Sequence, residues 1–252
     1  MFDAGDIATA AKPGQFIQVK TSDDCFPLWP RPFSIHDADP VTAHLTIMFR
    51  IYGSGTAQMA ARRPGELMHL FGPLGNGFPA VDGNLDVILA AGGIGLPPLY
   101  FLAKDAVEKG LSPHKMTFIA GAKSKLELLN EARLFELGLR PVICTDDGTA
   151  GRRGTVVDVL EQELAPRQKV TVYACGPNAM LREVDLLLAR GNLSGFLSLE
   201  ALMPCGYGIC SGCAVRVHPP ADRGPTDDRC DYHLKRVCIE GPVFSAGEVM
   251  WD

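Results

Sequence analysis

Three cysteines stand at C-x4-C-x2-C spacing in Cys205-Gly-Tyr-Gly-Ile-Cys210-Ser-Gly-Cys213, and a fourth, Cys238, precedes Gly241-Pro242. This is the plant-type spacing for a 2Fe–2S cluster. It constrains the fold strongly, because one tight loop must wrap three thiolates around an inorganic core and a distant segment must return with the fourth. Gly206, Gly208 and Gly212 are small enough to let backbone N–H groups approach the sulfurs. A structural zinc site also takes four cysteines, but its unit is a pair of C-x2–4-C knuckles, and only one half fits here. Disulfides fit least: Met1-Phe2-Asp3-Ala4-Gly5-Asp6 has no secretory character, and 252 residues bury a core without staples.

A chain of 252 residues has room for two ordinary domains, or two small ones and an appendage. Its net charge of −5 gives no basic footprint, which argues against nucleic acid and anionic membranes as partners. The longest uncharged run, Val87 to Ala103, is shorter than the roughly 20 residues of a membrane helix. It also holds Gly92, Gly93, Gly95, Pro97 and Pro98, so it reads as a buried strand, a glycine turn and a helix. Eight cysteines without a secretion signal imply a reducing compartment, so a cytoplasmic location is expected.

Two rhythms divide the chain. Up to about residue 80, β-rich runs at Gln15–Lys20, Leu45–Tyr52 and Glu66–Phe71 alternate with Gly- and Pro-bearing turns, the pattern of a small antiparallel β-barrel. After Asp82-Gly83-Asn84, strands at Asp86–Ala91, Met116–Ala120, Pro141–Thr145 and Val170–Ala174 alternate with helices at Pro97–Lys109, Leu126–Leu137, Val156–Leu164 and Asn178–Arg190. That alternation predicts an α/β domain with a parallel sheet. The expected organisation is therefore a barrel domain at 1–82, an α/β domain at 83–193 and a C-terminal cluster-binding segment at 194–252.

In the α/β region, a strand runs into Gly92-Gly93-Ile94-Gly95-Leu96-Pro97-Pro98. Glycines there let a dinucleotide pyrophosphate approach the backbone, and the helix N-terminus offers free N–H groups. The motif departs from G-x-G-x-x-G, and a purely structural turn would look the same. A second strand ends in Cys175-Gly176-Pro177-Asn178, again where open α/β sheets bind ligands; alone, Cys175 reads as a buried small hydrophobe. In the barrel region, Arg31-Pro32-Phe33-Ser34 and Gly53-Ser54-Gly55-Thr56 could hold a flavin's pyrophosphate, ring and ribitol, or be surface and turn.

Taken in order, these segments are similar to the ferredoxin–NAD(P) reductase-like superfamily. Within it the chain most closely resembles the electron transfer subunits of dihydroorotate dehydrogenase B. The resemblance spans almost the whole chain and rests on Pro13-Gly14-Gln15-Phe16, Arg31-Pro32-Phe33-Ser34, Gly55-Thr56, Gly72-Pro73-Leu74-Gly75-Asn76-Gly77-Phe78, Gly92 to Pro98, Cys175-Gly176-Pro177, Ser198-Leu199-Glu200 and the cysteine loop. Several of these are shared across the superfamily and settle only FAD and nicotinamide. Gly72–Phe78, Ser198–Glu200 and the closing Cys238-Ile-Glu-Gly-Pro-Val-Phe point to the particular subunits.

The resemblance implies flavin contacts at Arg31, Pro32, Phe33, Ser34, Met48, Phe49, Arg50, Gly55 and Thr56, and dinucleotide contacts at Gly92, Gly93, Gly95, Cys175, Gly176 and Pro177. It implies cluster ligands at Cys205, Cys210, Cys213 and Cys238. Cys230 lies in a Cys213–Cys238 gap about ten residues longer than the family pattern and competes for the fourth place. A first barrel strand should also precede Pro13-Gly14, where little room remains. The implied function is electron transfer in pyrimidine biosynthesis. Electrons from dihydroorotate reach FMN on a separate catalytic subunit, pass through this chain's cluster to its FAD, and reduce NAD⁺. The implied assembly is a heterotetramer, and this chain itself carries no dihydroorotate site. Thr145-Asp146-Asp147 suggests NAD over NADP, since carboxylates repel a 2′-phosphate. The rivals are a reductase subunit of a hydrogenase, sulfide dehydrogenase or sulfite reductase, and, from another class, a non-enzymatic zinc-binding interaction module.

Overall fold

The early rhythm of short strands and turns folds as a five-stranded antiparallel sheet in the order β1-β4-β3-β2-β5, formed by β1 (Phe2–Asp3), β2 (Phe16–Lys20), β3 (Arg31–Asp39), β4 (His44–Ile47) and β5 (His69–Leu74). These strands come from a computed structural model that describes residues 1–22, 26–129, 132–167, 169–219 and 231–251. Alternate residues of β2 and β3 face inward, so Ile17, Val19 and Ile35 are fully buried with Leu45. Each such side chain contributes about 1.5–3 kcal/mol. Two helices carried no clear signal in the sequence: α1 (Gly5–Ala10), which packs on the barrel, and α2 (Ser54–Ala61), whose Gly55 lowers its helix propensity.

The second rhythm gives a seven-stranded sheet in the order β14-β11-β10-β6-β7-β8-β9. Its strands are β6 (Asp86–Gly92), β7 (Met116–Ala122), β8 (Val142–Thr145), β9 (Arg152–Arg153), β10 (Val170–Cys175), β11 (Ser194–Ser198) and β14 (Val243–Ser245); all neighbours are parallel except β11 and β14. The central strand β6 explains the uncharged run. Ile88 and Ala90 pack under α5 (Val156–Leu164) and α6 (Asn178–Gly191), while Val87, Leu89 and Ala91 pack under α3 (Leu96–Glu108). A strand buried on both faces cannot alternate with polar residues. In place of one helix over 126–137, the chain makes a 3₁₀ turn at Lys125–Glu127 and a short α4 (Ala132–Glu136). Among the described residues no helix is long and apolar enough to cross a membrane.

Residues 194–198, expected in the cluster segment, instead pair in parallel with β10 after the crossover helix α6, and 243–245 close the same sheet edge. Ser194-Gly-Phe-Leu-Ser is too short and mixed to announce a strand; adjacency to β10 decides it. What remains apart is the cysteine loop and a hairpin of β12 (Ala214–Val217) and β13 (His233–Arg236). The barrel and sheet are joined through α3, whose Phe101 is buried in the barrel core.

Candidate functional site

Barrel and sheet meet over the C-terminal ends of the parallel strands, and two cavities open there side by side. The first, about 420 Å³, is walled on the barrel side by Phe16, Pro32, Phe33, Ser34, Met48, Phe49 and Tyr52, and on the sheet side by Ile94, Pro97, Cys175, Ser198 and Met203. It has the size and the mixed apolar and polar lining of a cofactor site. Of the predicted flavin contacts, Pro32, Phe33, Ser34, Met48, Phe49 and Arg50 therefore line one cavity. Arg31, Gly55 and Thr56 do not. The Arg31 guanidinium donates to the Trp29 and Pro30 carbonyls at 2.7 and 3.3 Å. Gly55 and Thr56 lie in the first turn of α2, where the Thr56 hydroxyl accepts from the Tyr52 and Gly53 N–H groups at 2.8 and 3.1 Å. Against Gly55 lies the Thr21 hydroxyl, buried and without a partner among the described residues, a group that a bound polar ligand could satisfy.

The second cavity, about 580 Å³, shares Arg50, Ile94 and Glu200 with the first. Its floor is Gly92, Gly93 and Gly121, and it receives residues at the N-terminal ends of α5 (Thr155–Asp158) and α6 (Pro177–Met180), whose free N–H groups suit phosphate oxygens. Gly92, Gly93 and Pro177 line it, whereas Gly95 and Gly176 serve packing: a Cβ on Gly95 would lie 2.1 Å from the Cys175 carbonyl oxygen, and one on Gly176 would lie 2.8 Å from Met180 Cε. Cys175 faces the first cavity instead. Burial pushes its thiol up to about 12, against a hydrogen bond from Ser198, so it stays protonated. At the mouth, Arg50 of the barrel pairs with Glu127 of the sheet unit at 2.9 Å.

The cysteine loop continues directly from Met203 of the first cavity. Gly206 has φ +80, and a Cβ there would come within 2.5 Å of Gln18 Nε2, so the turn needs glycine on two counts. Gln18 ties the loop to the barrel by donating to the Met203 carbonyl at 2.8 Å. Against the cost of burial, N–H groups of Cys210, Tyr207 and Ile209 with the Cys210 thiol hold Cys205 down to about 6, a setting for a thiolate. Burial and then the Cys213 thiol push Cys238 up to about 12, while the Gly208 N–H donates to its sulfur. Side-chain hydrogen bonds link Cys205 with Cys210 and Cys213 with Cys238, and Cys205 also lies close enough to act on Cys238. Among the described residues no three His, Cys, Asp or Glu side chains gather to hold one metal ion. Two pairs suit a two-iron unit, each iron taking two thiolates.

The hairpin accounts for the long gap before Cys238. Ala214 pairs with Arg236, and the Val237 N–H donates to the Cys213 carbonyl at 3.1 Å, so the ladder returns the chain to Cys213 whatever the length of the excursion. Cys230 lies outside the described residues. The sequence did not single out Tyr52 or Met203 as cavity residues, since neither belongs to a motif, and Ile94 stood inside the quoted glycine turn without a role of its own. Glu200, on the wall of both cavities, stood in the quoted Ser198-Leu199-Glu200 without a role.

The iron-sulfur cluster binding domain of dihydroorotate dehydrogenase B matches residues 200–250, and an oxidoreductase NAD-binding domain matches residues 89–185. The dihydroorotate dehydrogenase B (NAD(+)) electron transfer subunit of Desulforamulus reducens is 36% identical over 251 residues, covering 100% of this chain and 91% of that one. The subunit of the same name from a Geobacillus species is 38% identical over 240 residues, covering 94% and 86%. Among solved structures, a chain of the NADH-dependent reduced ferredoxin-NADP oxidoreductase superposes with a TM-score of 0.82 at 25% identity, covering 98% of this chain and 83% of that one. An Amycolatopsis cytochrome P450 reductase shares the fold over 73% of this chain and 58% of its own, with a TM-score of 0.61 at 23% identity.

Proposed function

Because the chain belongs to the dihydroorotate dehydrogenase B electron transfer subunit family, we propose that it takes electrons from an FMN-containing, dihydroorotate-oxidising catalytic subunit and delivers them to NAD⁺. The setting is pyrimidine biosynthesis in the cytoplasm. A flavin bound in the first cavity supplies exchange between the electron pair of a hydride and the single electrons of an iron–sulfur centre.

The chain's own part is placement. Pro32, Phe33, Ser34, Met48 and Phe49 would hold the flavin, with Arg31 at the start of β3 and Gly55 and Thr56 in α2 for its phosphates. Gly92, Gly93 and Pro177 would hold the dinucleotide, and Cys205, Cys210, Cys213 and Cys238 the cluster. The observation that carries this reading is the position of the first cavity. It shares Arg50, Ile94 and Glu200 with the nucleotide cleft, and Met203 leads from it, through Pro204, to Cys205. Relatives named for dihydroorotate dehydrogenase favour that partner over a hydrogenase, sulfide dehydrogenase or sulfite reductase.

Anaerobic purification with and without the catalytic subunit tests the proposal. NADH is expected to bleach the visible spectrum of the isolated chain, while dihydroorotate does so only in the complex. A colourless chain holding stoichiometric zinc, or a chain bleached by dihydroorotate on its own, would sink it.

A further inference from the structure

After β8 the sequence is ambiguous about phosphate. Asp146 and Asp147, which repel one, are followed by Arg152 and Arg153, which bind one. The fold separates the four. Asp147 turns into its own loop, accepting from the Thr149 N–H at 2.9 Å and the Thr149 hydroxyl at 2.7 Å, and it is absent from the cleft wall. Arg152 reaches away to Glu163 Oε1 at 3.2 Å and Gln162 Oε1 at 3.3 Å on α5. The stem of Arg153 lies over Gly148, where a Cβ would sit 3.1 Å from Arg153 Cγ. Neither arginine lines the cleft.

Asp146 does line it. Its backbone is fixed by donation to the Ala122 carbonyl at 3.1 Å, and its carboxylate has no hydrogen-bond partner among the described residues. Of the other carboxylates lining the cleft, Asp158 is taken up by the Thr155 N–H and hydroxyl, both at 2.8 Å, Glu127 pairs with Arg50, and Glu183 and Glu200 stand on and beyond α6, away from the end of β8. In the sheet, β8 lies two strands from β6. At a strand spacing of about 4.8 Å, that puts Asp146 about 10 Å across from the Gly92–Gly93 turn, the reach of one nucleoside from a pyrophosphate seated there.

The geometry points to Asp146 as the residue that selects NAD over NADP. Its carboxylate accepts from the 2′-hydroxyl of the adenosine ribose and repels a phosphate esterified at that position, while the two neighbouring arginines are held off the wall. The inference rests on the dinucleotide reading of the cleft and deepens it by dividing the aspartate pair.

Calorimetric titration of the flavin- and cluster-loaded full chain with ADP-ribose and with 2′-phospho-ADP-ribose tests it. Asp146→Ser is expected to shrink the preference for the unphosphorylated ligand by about tenfold, and the isosteric Asp146→Asn to move it the same way. Asp147→Ser is expected to leave it unchanged. A wild-type preference in both Asp146 variants, or an equal loss in Asp147→Ser, overturns the assignment. A wild-type chain that binds neither ligand overturns the dinucleotide reading as well, so the two failures are told apart.

Discussion

Cys238 shows how far one residue can be placed by its neighbours. Its sulfur faces Cys213 and receives the Gly208 N–H, and the hairpin ladder holds that meeting through the Val237 bond to the Cys213 carbonyl. Cys238→Ser is expected to remove stable 2Fe–2S absorbance and iron, whereas Cys230→Ser is expected to keep both. Iron analysis with visible spectra of anaerobically purified variants checks this, and the opposite pattern would transfer the role to Cys230. The loop cysteines were legible because thiolate chemistry fixes their spacing. Gly95 was legible only as a glycine. The sequence suggested approach of a phosphate, while in the fold its most pressing demand is the Cys175 carbonyl, 2.1 Å from where a Cβ would lie. Contact across two strand ends leaves no mark in the local sequence.

The segment after β5 acts as a strap between distant parts of the chain. Asn76 donates from Nδ2 to the Glu240 carbonyl at 3.0 Å and the Val243 carbonyl at 2.8 Å, and its Oδ1 accepts from the Val243 N–H at 3.0 Å. These bonds fasten the barrel to the turn that carries Cys238 into β14. At about 1 kcal/mol per net hydrogen bond, Asn76→Ala should cost about 2–3 kcal/mol. Hydrogen exchange is expected to quicken across 236–245, with faster loss of the cluster under chelator. Unchanged exchange there would show that packing alone holds the segment. At this scale the sequence spoke through periodicity, so β6, α3, α5 and α6 were readable. β11, β14 and the β12–β13 hairpin were not, because each is a short element whose identity comes from a partner strand far away in the chain.

Across the whole molecule, barrel and sheet meet at a junction containing a buried base. His36 of β3 stacks on Tyr100 of α3 with ring centroids 4.4 Å apart, and both of its ring nitrogens are buried. Beside it, Lys104 pairs with Asp37 at 2.6 Å and Arg133 approaches Asp37 at 3.8 Å. Burial first, then Arg133, lowers the His36 pKa to about 4, so the folded protein takes up this proton later than the unfolded chain does. Stability should therefore fall as pH drops from about 6.5 to about 4, by up to about 3 kcal/mol, and be flat in this respect above that window. Urea midpoints across this range should slope for the wild type and flatten for His36→Phe; equal slopes would assign the loss to other groups. The two-domain plan was readable from the change of rhythm, but this junction was not, since a lone histidine gives no hint of what will cover it. The wall shared by the two cavities has a consequence of its own. Because Arg50, Ile94 and Glu200 line both, a ligand in one cavity touches side chains that also wall the other. Thermodynamic reciprocity then requires that any factor by which flavin alters dinucleotide affinity is returned in full as a change in how firmly the flavin is held.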